Sequence, residues 1–260
     1  MRTIEEVRRV QRLIERGLND CQVARQTGIP RGTIRDWRHG KVPRRGPLGS
    51  RIPAEHSCPA CGHPKHDFGA LPAADYAYLL GLYLGDGCLS PNRRGVFRLR
   101  ILLDRKYQGI VRECARAMAT VMPSSRVGVL KHRHENADEV SSYSRAWPCL
   151  IPQHGPGRKH LRKIELAGWQ QDIVSEHPEW LLRGLIHSDG SYSVNTIRHP
   201  KKTYVYPRYL FSNRSADIRR IFCDACDRLG IEWRVMTKYN ISIARRDSIA
   251  TMDEFVGPKE

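Results

Sequence analysis

The sequence contains no long hydrophobic run. Nowhere do its 260 residues approach the roughly eighteen consecutive apolar side chains of a membrane-spanning helix. Acidic residues are also few, with 27 Asp and Glu against 44 Lys and Arg, so the formal net charge is +17. A balance this basic says little about fold, but it favours nucleic acid as a partner or, second to it, an anionic membrane surface.

Cysteines are too few and too unevenly placed for the disulfide framework of a small secreted domain. The chain has eight, and its N-terminal residues follow a charged helical rhythm that does not resemble a secretory signal. We therefore expect a reducing, cytoplasmic location, associated with the nucleoid if the source is bacterial. The length suits one large domain or two smaller ones, and a hydrophobic content of 40% is enough for a buried core.

Two stretches of nine residues repeat one pattern. Residues 79–87 read LLGLYLGDG, and residues 182–190 read LRGLIHSDG. Each is an apolar, helix-like run with small residues four apart, and such residues let two helix backbones approach closely. The pattern predicts two packed helices that end in Asp86 and Asp189. Two converging carboxylates repel each other unless a cation lies between them.

The glycine after each acid is expected to end its helix in the left-handed conformation. The order of predicted elements after each acid also recurs. It comprises an alternating strand at 97–103, a helix through 110–118 and a strand at 127–131, and then strands at 192–197 and 203–211, a helix at 215–229 and a strand at 233–238. The recurrence predicts a pseudo-twofold structure that brings the two acids together.

These paired motifs resemble those of the LAGLIDADG homing endonucleases, in the single-chain form that carries two motifs. The resemblance covers residues 72–255 and implies an α+β fold of two pseudo-symmetric αββαββα repeats, acting as a monomer, with saddle-shaped antiparallel sheets in the major groove of double-stranded DNA. It implies that Asp86 and Asp189 bind a divalent metal such as Mg²⁺ and cut both strands. The family's sixth motif position is often Asp, whereas this chain has Leu84 and His187 there.

Lys131 and Lys238 fall at equivalent points of the two repeats, on predicted strands. In the family a strand lysine of this kind lies beside the catalytic metals, so the resemblance implies a catalytic ammonium group at these positions. The alternative is an ordinary solvated or phosphate-contacting lysine.

Alternation along the predicted strands indicates which side chains face the DNA. Arg98 and Arg100 share one face in the first repeat, and Tyr204, Tyr206 and Arg208 share one in the second. The alternative is a solvated basic sheet face, but the net charge favours DNA contact.

Residues 1–40 predict a helix-turn-helix domain preceded by one helix. Asn19 or Asp20 would cap the second helix, Gly28 would form the turn, and the third helix would begin at Pro30 and end at Gly40. The exposed side of the third helix would carry four DNA-binding residues, which are Arg31, Thr33, Arg35 and Arg38. Their positive charge favours DNA binding over the alternative of a three-helix protein-interaction module.

Residues 41–71 predict a basic linker that contains a Cys/His cluster. Cys58 and Cys61 have the Cys-x-x-Cys spacing of a zinc knuckle. His63 and His66 are the local candidates for the remaining Zn²⁺ ligands, and His56 is an alternative; a reduced, metal-free linker stays open. The other close pair, Cys223 and Cys226, is better explained by packing on an amphipathic helix.

The sequence thus predicts four segments, which are residues 1–40, 41–71, 72–168 and 169–260. The function it favours is a site-specific, Mg²⁺-dependent DNA endonuclease. The main rival is a helix-turn-helix transcriptional regulator with a non-cleaving domain of the same fold. Such regulators tend to lack the acids that are present here. A protein that binds RNA or assists splicing is a third possibility, while no protein-splicing signature flanks the domain.

Overall fold

The computed structural model describes residues 4–39, 57–132, 136–199, 202–257 and 259. The chain divides into two compact units, residues 1–57 and 58–260. Most of the predicted linker, including the alternative ligand His56, lies outside the described residues, as does Gly40, the predicted end of the third helix.

The described part of the smaller unit contains three helices, α1 (Ile4–Glu15), α2 (Asp20–Thr27) and α3 (Arg31–Arg38). Asn19 caps α2, because its side-chain oxygen accepts hydrogen bonds from two backbone N–H groups of the first turn. Gly28 ends α2 with a φ of +68°, the left-handed geometry that favours glycine. The core of the unit is formed by Val7, Val10, Val23, Ile29, Ile34 and Trp37.

The larger unit contains two copies of one arrangement. The first copy comprises α4 (Ala73–Asp86), β1 (Gly87–Pro91), β2 (Phe97–Asp104), α5 (Gln108–Val121), β3 (Val127–Lys131), β4 (Ala137–Ser144) and α6 (Trp147–Leu150). After α7 (Gly168–Glu176), the second comprises α8 (Pro178–Asp189), β5 (Gly190–His199), β6 (Lys202–Ser212), α9 (Ala216–Arg228), β7 (Arg234–Val235), β8 (Asn240–Ile243) and α10 (Arg246–Val256). The predicted α+β fold of two αββαββα repeats is confirmed.

Each copy forms an antiparallel four-stranded sheet with the same strand order. The orders are β1-β2-β4-β3 and β5-β6-β8-β7. On β2, Leu99, Ile101 and Leu103 are buried, while Arg100 on the opposite face is exposed, as the alternation predicts. The strand predicted at 233–238 is too long, because β7 ends at Val235 and the next residues turn towards β8.

Helices α4 and α8 pack against each other through their small residues. A Cβ added at Gly81 would lie 2.9 Å from the Cα of Gly184, and a Cβ added at Gly85 would overlap Ser188. Any larger side chain would push the helices apart, as the four-residue spacing predicts. The apolar residues of α4 from Tyr76 to Leu84 are buried, so this helix pair is the centre of the core.

The predicted left-handed conformation of Gly87 and Gly190 is wrong. Both residues are extended, with φ of −80° and −100°, and each helix passes directly into a strand. The glycines are needed instead for close approach. A Cβ at Gly87 would lie 2.5 Å from the Cα of Tyr83, and one at Gly190 would lie 2.6 Å from the Cα of Ile186. Among the helices that the structure describes, none has the length and apolarity to cross a membrane.

Candidate active site

The helix pair brings the two motif aspartates to the same end of the interface. Asp86 and Asp189 are the last residues of α4 and α8. A Cβ added at Gly85, the neighbour of Asp86, would lie 3.3 Å from the carboxyl carbon of Asp189. The two carboxylates thus lie near each other, as the sequence pattern predicts.

The pKa of each motif carboxyl group is raised. Loss of hydration, followed by repulsion from Asp189, raises the pKa of Asp86 to about 6, against the opposing effect of Lys159 and Lys259. The side chain of Asp86 still contacts solvent, so it loses only part of its hydration. Burial also raises the pKa of Asp189, although Asn213 opposes this by donating from Nδ2 to Oδ2 at 2.6 Å. A proton or a cation is therefore favoured between the acids.

Two lysines that the sequence analysis did not identify hold the ends of the motif helices. The Nζ of Lys159 donates to the carbonyls of Leu84 at 3.1 Å and Gly85 at 2.8 Å, and to that of Tyr83. The Nζ of Lys259 donates to the carbonyls at the end of α8 in the same way, including that of Gly190. Each ammonium group thus stabilises the negative end of one helix dipole and approaches both acids.

Burial lowers the pKa of both of these lysines. The pKa of Lys159 falls to about 8, with Asp189 and Asp86 acting in the opposite direction. Loss of hydration is also the largest influence on Lys259, whose pKa is lowered despite the same two acids. Both ammonium groups therefore lose a proton more readily than those of ordinary surface lysines.

A basic cleft opens beside Asp189. It has a volume of about 430 Å³ and is lined by residues of the segment between the repeats and of the β6–α9 turn. The cationic side chains along it are Arg158, Lys159, Arg162 and Arg214. Guanidinium groups at such positions suit the phosphates of a nucleic acid backbone.

The lysines predicted to be catalytic, Lys131 and Lys238, are both exposed. Lys131 is exposed at the end of β3, opposite Asp138 on β4. Lys238 lies in the β7–β8 turn rather than on a strand, and its Nζ is 5.5 Å from the centre of the Tyr239 ring. Within the described residues, neither lysine is among the charged groups that shift the pKa of Asp86 or Asp189.

The predicted DNA-facing strand residues occupy the open faces of the two sheets. Arg100 is exposed on β2, whereas Arg98 is half-buried and forms an ion pair with Glu139 on β4. In the second sheet the exposed rings of Tyr204 and Tyr206 stack at 6.2 Å. Arg208, on the same face, is half-buried. These faces therefore combine positive charge with aromatic surface.

The four residues predicted on the third helix differ in their contacts. Arg31 and Arg35 are exposed and Thr33 is half-buried. Arg38 is held within the unit, since its Nε donates to Asp20 at 2.8 Å and its Nη2 donates to a backbone carbonyl of the α1–α2 turn at 2.8 Å. Arg31 and Arg35 are thus more accessible to an external partner than Arg38.

The Cys/His cluster has a different membership from the one predicted. Cys58, Cys61 and His66 come together with Cys149 of α6, and their ligand atoms all lie within 4.8 Å of one another. His63 is exposed and is not part of this group. Cys223 and Cys226 are buried on α9, in agreement with a packing role.

The motif position occupied by His187 is structural. Its Nδ1 lies 2.9 Å from the hydroxyl of Tyr78, and its Nε2 lies 3.0 Å from the carbonyl of Val256. Because that carbonyl only accepts, Nε2 carries the proton and Nδ1 accepts from Tyr78. Burial, followed by the nearby charge of Arg183, lowers the pKa of His187 to about 4, so the imidazole is neutral.

The functional residues that the sequence analysis missed lack periodicity. Lys159 lies in the irregular segment between the repeats, and its one signal is the basic run at 158–163. Lys259 lies beyond the last helix, and Asn213 follows the end of β6. Cys149 could have been suspected only as an unassigned cysteine, because its distance from Cys58 in the sequence hides their proximity.

Comparisons with known proteins give similar folds at low identity. No family model and no curated protein matches the sequence. The chain is similar to I-DmoI in complex with DNA and Mn, at 15% identity and a TM-score of 0.47, over 72% of this chain and 98% of that one.

Two further solved structures are similar to the same part of the chain. The LAGLIDADG meganuclease I-AabMI bound to uncleaved DNA has 9% identity and a TM-score of 0.45, covering 69% of this chain and 82% of that one. The I-LtrWI LAGLIDADG homing endonuclease bound to target DNA has 8% identity and a TM-score of 0.46, covering 71% and 84%. These three solved structures are homing endonucleases or meganucleases in complex with DNA.

Proposed function

We propose that the chain is a site-specific, Mg²⁺-dependent endonuclease that hydrolyses both strands of double-stranded DNA. The observation that carries this proposal is the convergence of Asp86 and Asp189 at the ends of two packed helices. Burial raises the pKa of both carboxyl groups, and repulsion from Asp189 raises that of Asp86 further, so binding of a cation there is favoured. The structure around the two acids is otherwise basic. It therefore favours an anionic substrate such as a phosphodiester.

The donor set fits a small, hard divalent cation. Carboxylate oxygens are the ligands that Mg²⁺ prefers, and a site with few protein ligands leaves positions open for water and phosphate oxygens. Asp86 and Asp189 would hold the cation. When bound there, Mg²⁺ supplies an activated water and stabilises the charge that develops on the phosphate.

The chain's own residues orient and complete this site. Asn213 holds one oxygen of Asp189 in place through its amide N–H, leaving the other oxygen available. Lys159 and Lys259 fix the ends of the motif helices, and their ammonium groups add positive charge beside the reacting phosphate. Arg158, Arg162 and Arg214 line the cleft in which the DNA backbone would lie.

DNA would be read by the open faces of the two sheets. Arg98, Arg100, Tyr204, Tyr206 and Arg208 would contact base edges and phosphates in the major groove. Because one chain carries both acids, we propose that it acts as a monomer, which sedimentation of the protein–DNA complex would verify. Tethering the three-helix unit to the larger unit would increase affinity through effective concentration.

A DNA-binding regulator without cleavage activity is the second candidate. It is favoured by the two lysines, since Lys159 and Lys259 already supply positive charge to both acids in the absence of a metal. If the lysines neutralise the two acids, the acid pair would only stabilise the helix interface and would not bind a metal. The two candidates differ in a single outcome, which is cutting of duplex DNA in the presence of a divalent cation.

A cleavage selection distinguishes them without knowledge of the target. The full chain is incubated with a library of randomised duplexes and Mg²⁺, and the new ends are sequenced. We expect recurrent cuts in one short motif. Asp86→Asn and Asp189→Asn should each lower the rate by at least about 10³-fold, while the exposed control Asp172→Asn should leave it unchanged. Binding to a recovered motif without cleavage by the unaltered chain supports the regulator, and undiminished cleavage by the double variant contradicts the proposed site.

A further inference from the structure

The Cys58, Cys61, His66 and Cys149 cluster is not used by the proposed nuclease. Three of its members lie in a short segment at the start of the larger unit, while Cys149 lies on α6, 91 residues after Cys58. All four cysteine and histidine donor atoms lie within 4.8 Å of one another. Chance packing of one or two cysteines is common, but three cysteines and a histidine with their donor atoms close together indicate a metal site.

Two separations within the cluster are close to those of tetrahedral coordination. With Zn–S bonds of about 2.3 Å, two thiolates of a tetrahedron lie about 3.8 Å apart, and a thiolate and an imidazole nitrogen lie about 3.5 Å apart. The Sγ atoms of Cys58 and Cys149 are 3.7 Å apart, and the Sγ of Cys61 is 3.2 Å from the Nε2 of His66. The space between the four donor atoms is therefore large enough for one zinc ion.

The backbone around the first two cysteines has the form of a knuckle. The N–H of Gly62 donates to the carbonyl of Cys58 at 2.8 Å, and the N–H of Cys58 donates to the carbonyl of His63 at 2.7 Å. Gly62 completes the turn with a φ of +70°. The backbone N–H groups of Cys61 and Ala60 lie beside the sulfur of Cys58. Such N–H groups stabilise metal-bound thiolates and fix their orientation.

His63 does not complete this site. Its carbonyl is used in the knuckle turn and its side chain is exposed, so its contribution is to the turn geometry. His66 presents Nε2 to Cys61 and lies 5.6 Å from the Phe68 ring, which itself stacks on Trp169 at 4.1 Å. Packing against Phe68 thus orients the imidazole towards the three sulfurs.

We propose that Cys58, Cys61, His66 and Cys149 bind one structural Zn²⁺ ion. Four protein ligands leave no open coordination position, which is the property of structural rather than catalytic zinc sites. The ion would join the first residues of the larger unit to α6 of the first repeat. Because these four ligands converge only in the folded chain, binding of the ion would stabilise the folded state over the unfolded one. This inference does not depend on nuclease activity, and its tests contain neither DNA nor Mg²⁺.

Zinc content tests the ligand set directly. The full chain, purified under reducing conditions with Zn²⁺ supplied, is expected to contain one zinc per molecule by elemental analysis. Cys149→Ser should lower that content at least about tenfold, in line with loss of one ligand of four. Two matched controls, His63→Asn and Cys88→Ser, should retain one zinc, because His63 lies outside the cluster and Cys88 is an exposed cysteine elsewhere.

Cobalt substitution tests the ligand set in the unaltered chain, so its result does not depend on whether a variant folds. The unaltered chain loaded with Co²⁺ should show the absorption of a tetrahedral site with thiolate ligands, and the thiolate charge-transfer intensity should correspond to three sulfurs. Chelation of the zinc from the unaltered chain should lower its Tm by about 5–10 °C, and Zn²⁺ should restore it.

Three results would overturn the proposal. The first is a folded, fully reduced protein that contains no zinc when Zn²⁺ is supplied. The second is loss of zinc from His63→Asn with retention in Cys149→Ser, which would restore the ligand set predicted from sequence. The third is a disulfide between Cys58 and Cys61 or Cys149 in the protein as purified, shown by thiol titration and peptide mapping.

Discussion

Gly81 and Gly184 face each other across the interface of α4 and α8, and a Cβ added to Gly81 would lie 2.9 Å from the Cα of Gly184. This contact sets the separation of the two helices. Because Asp86 and Asp189 end those helices, it also sets the separation of the carboxylates. One glycine pair therefore controls both the stability of the core and the geometry of the candidate active site.

Substitution of Gly81 by Ala should destabilise the larger unit. The added methyl group would meet backbone atoms of α8, which cannot move aside as a flexible side chain can, and we expect a loss of about 2–3 kcal/mol. Urea denaturation monitored by circular dichroism measures this. Gly168→Ala, at the start of α7 where a Cβ meets no atom within 4 Å, is the matched control and should be neutral or slightly stabilising. Equal stability of both variants would contradict the close approach.

Arg183 should contribute to stability by joining both repeats and the chain's last helix. Its Nε and Nη2 donate to the two carboxylate oxygens of Glu113 on α5 at 2.9 and 2.8 Å, and its Nη1 donates to two carbonyls at the end of α10. Arg183→Met removes the donor shared by Glu113 and the carbonyl of Phe255, while the carbonyl of Val256 still accepts from His187, and we expect a loss of about 2 kcal/mol.

An exposed ion pair provides the control for Arg183. Arg220 pairs with Asp217 at 3.2 Å, and 60% of its side-chain surface is accessible to solvent. Arg220→Met should therefore change the free energy of unfolding by less than about 0.5 kcal/mol. If the two methionine variants unfold at the same urea concentration, Arg183 does not have the proposed role.

His187 should make stability depend on pH below neutrality. Its pKa is lowered to about 4 in the folded state and is about 6.5 in the unfolded chain. The unfolded state therefore binds the proton first as the pH falls, so the stabilisation is complete above pH 6.5 and is lost between about pH 6.5 and pH 4. The difference corresponds to about 2 kcal/mol between pH 7.5 and pH 5.

A neutral variant isolates this contribution from other titrating groups. His187→Gln keeps a polar side chain that does not ionise, so its free energy of unfolding should fall less between pH 7.5 and pH 5 than that of the unaltered chain. Arg183, Glu113 and Lys259 also act on His187, and they remain present in both proteins. Parallel pH profiles for the two proteins would show that His187 does not titrate in this range.

Two arginines of α3 should respond differently to substitution by alanine. Arg35 is exposed, so Arg35→Ala should weaken binding to random duplex DNA and reduce the slope of log K against log salt by about 1. Arg38 bonds to Asp20 and to the α1–α2 turn, so Arg38→Ala should chiefly lower the thermal stability of the smaller unit. Fluorescence anisotropy at several salt concentrations and calorimetry measure these effects; a salt slope unchanged by Arg35→Ala contradicts DNA contact there.

Sequence periodicity predicted the parts of the fold that depend on local pattern. The spacing of Gly81 and Gly85 with Gly184 and Ser188 predicted the helix contact, and the alternation at 97–103 predicted the buried face of β2. The conformation of Gly87 was predicted wrongly, because a glycine required for close approach and a glycine required for positive φ look identical in sequence.

Residues that join distant segments could not be predicted in this way. Lys159 reaches the end of α4 from an irregular segment, and Cys149 meets Cys58 only because α6 folds back against the start of the larger unit. Neither relationship leaves a periodic trace, since periodicity records the neighbours of a residue within its own element. The nearby His63 was therefore assigned as a ligand in preference to the distant Cys149, which the structure places in the cluster.

The central claim is that Asp86 and Asp189 together bind a divalent cation at the ends of the motif helices. Anomalous diffraction from crystals of the full chain grown with Mn²⁺ tests it most directly, because manganese positions are located independently of any activity. The account predicts an anomalous peak within about 2.5 Å of a carboxylate oxygen of each aspartate, which disappears in Asp86→Asn with Asp189→Asn. Carboxylates that point away from each other, with manganese bound at neither, would contradict it.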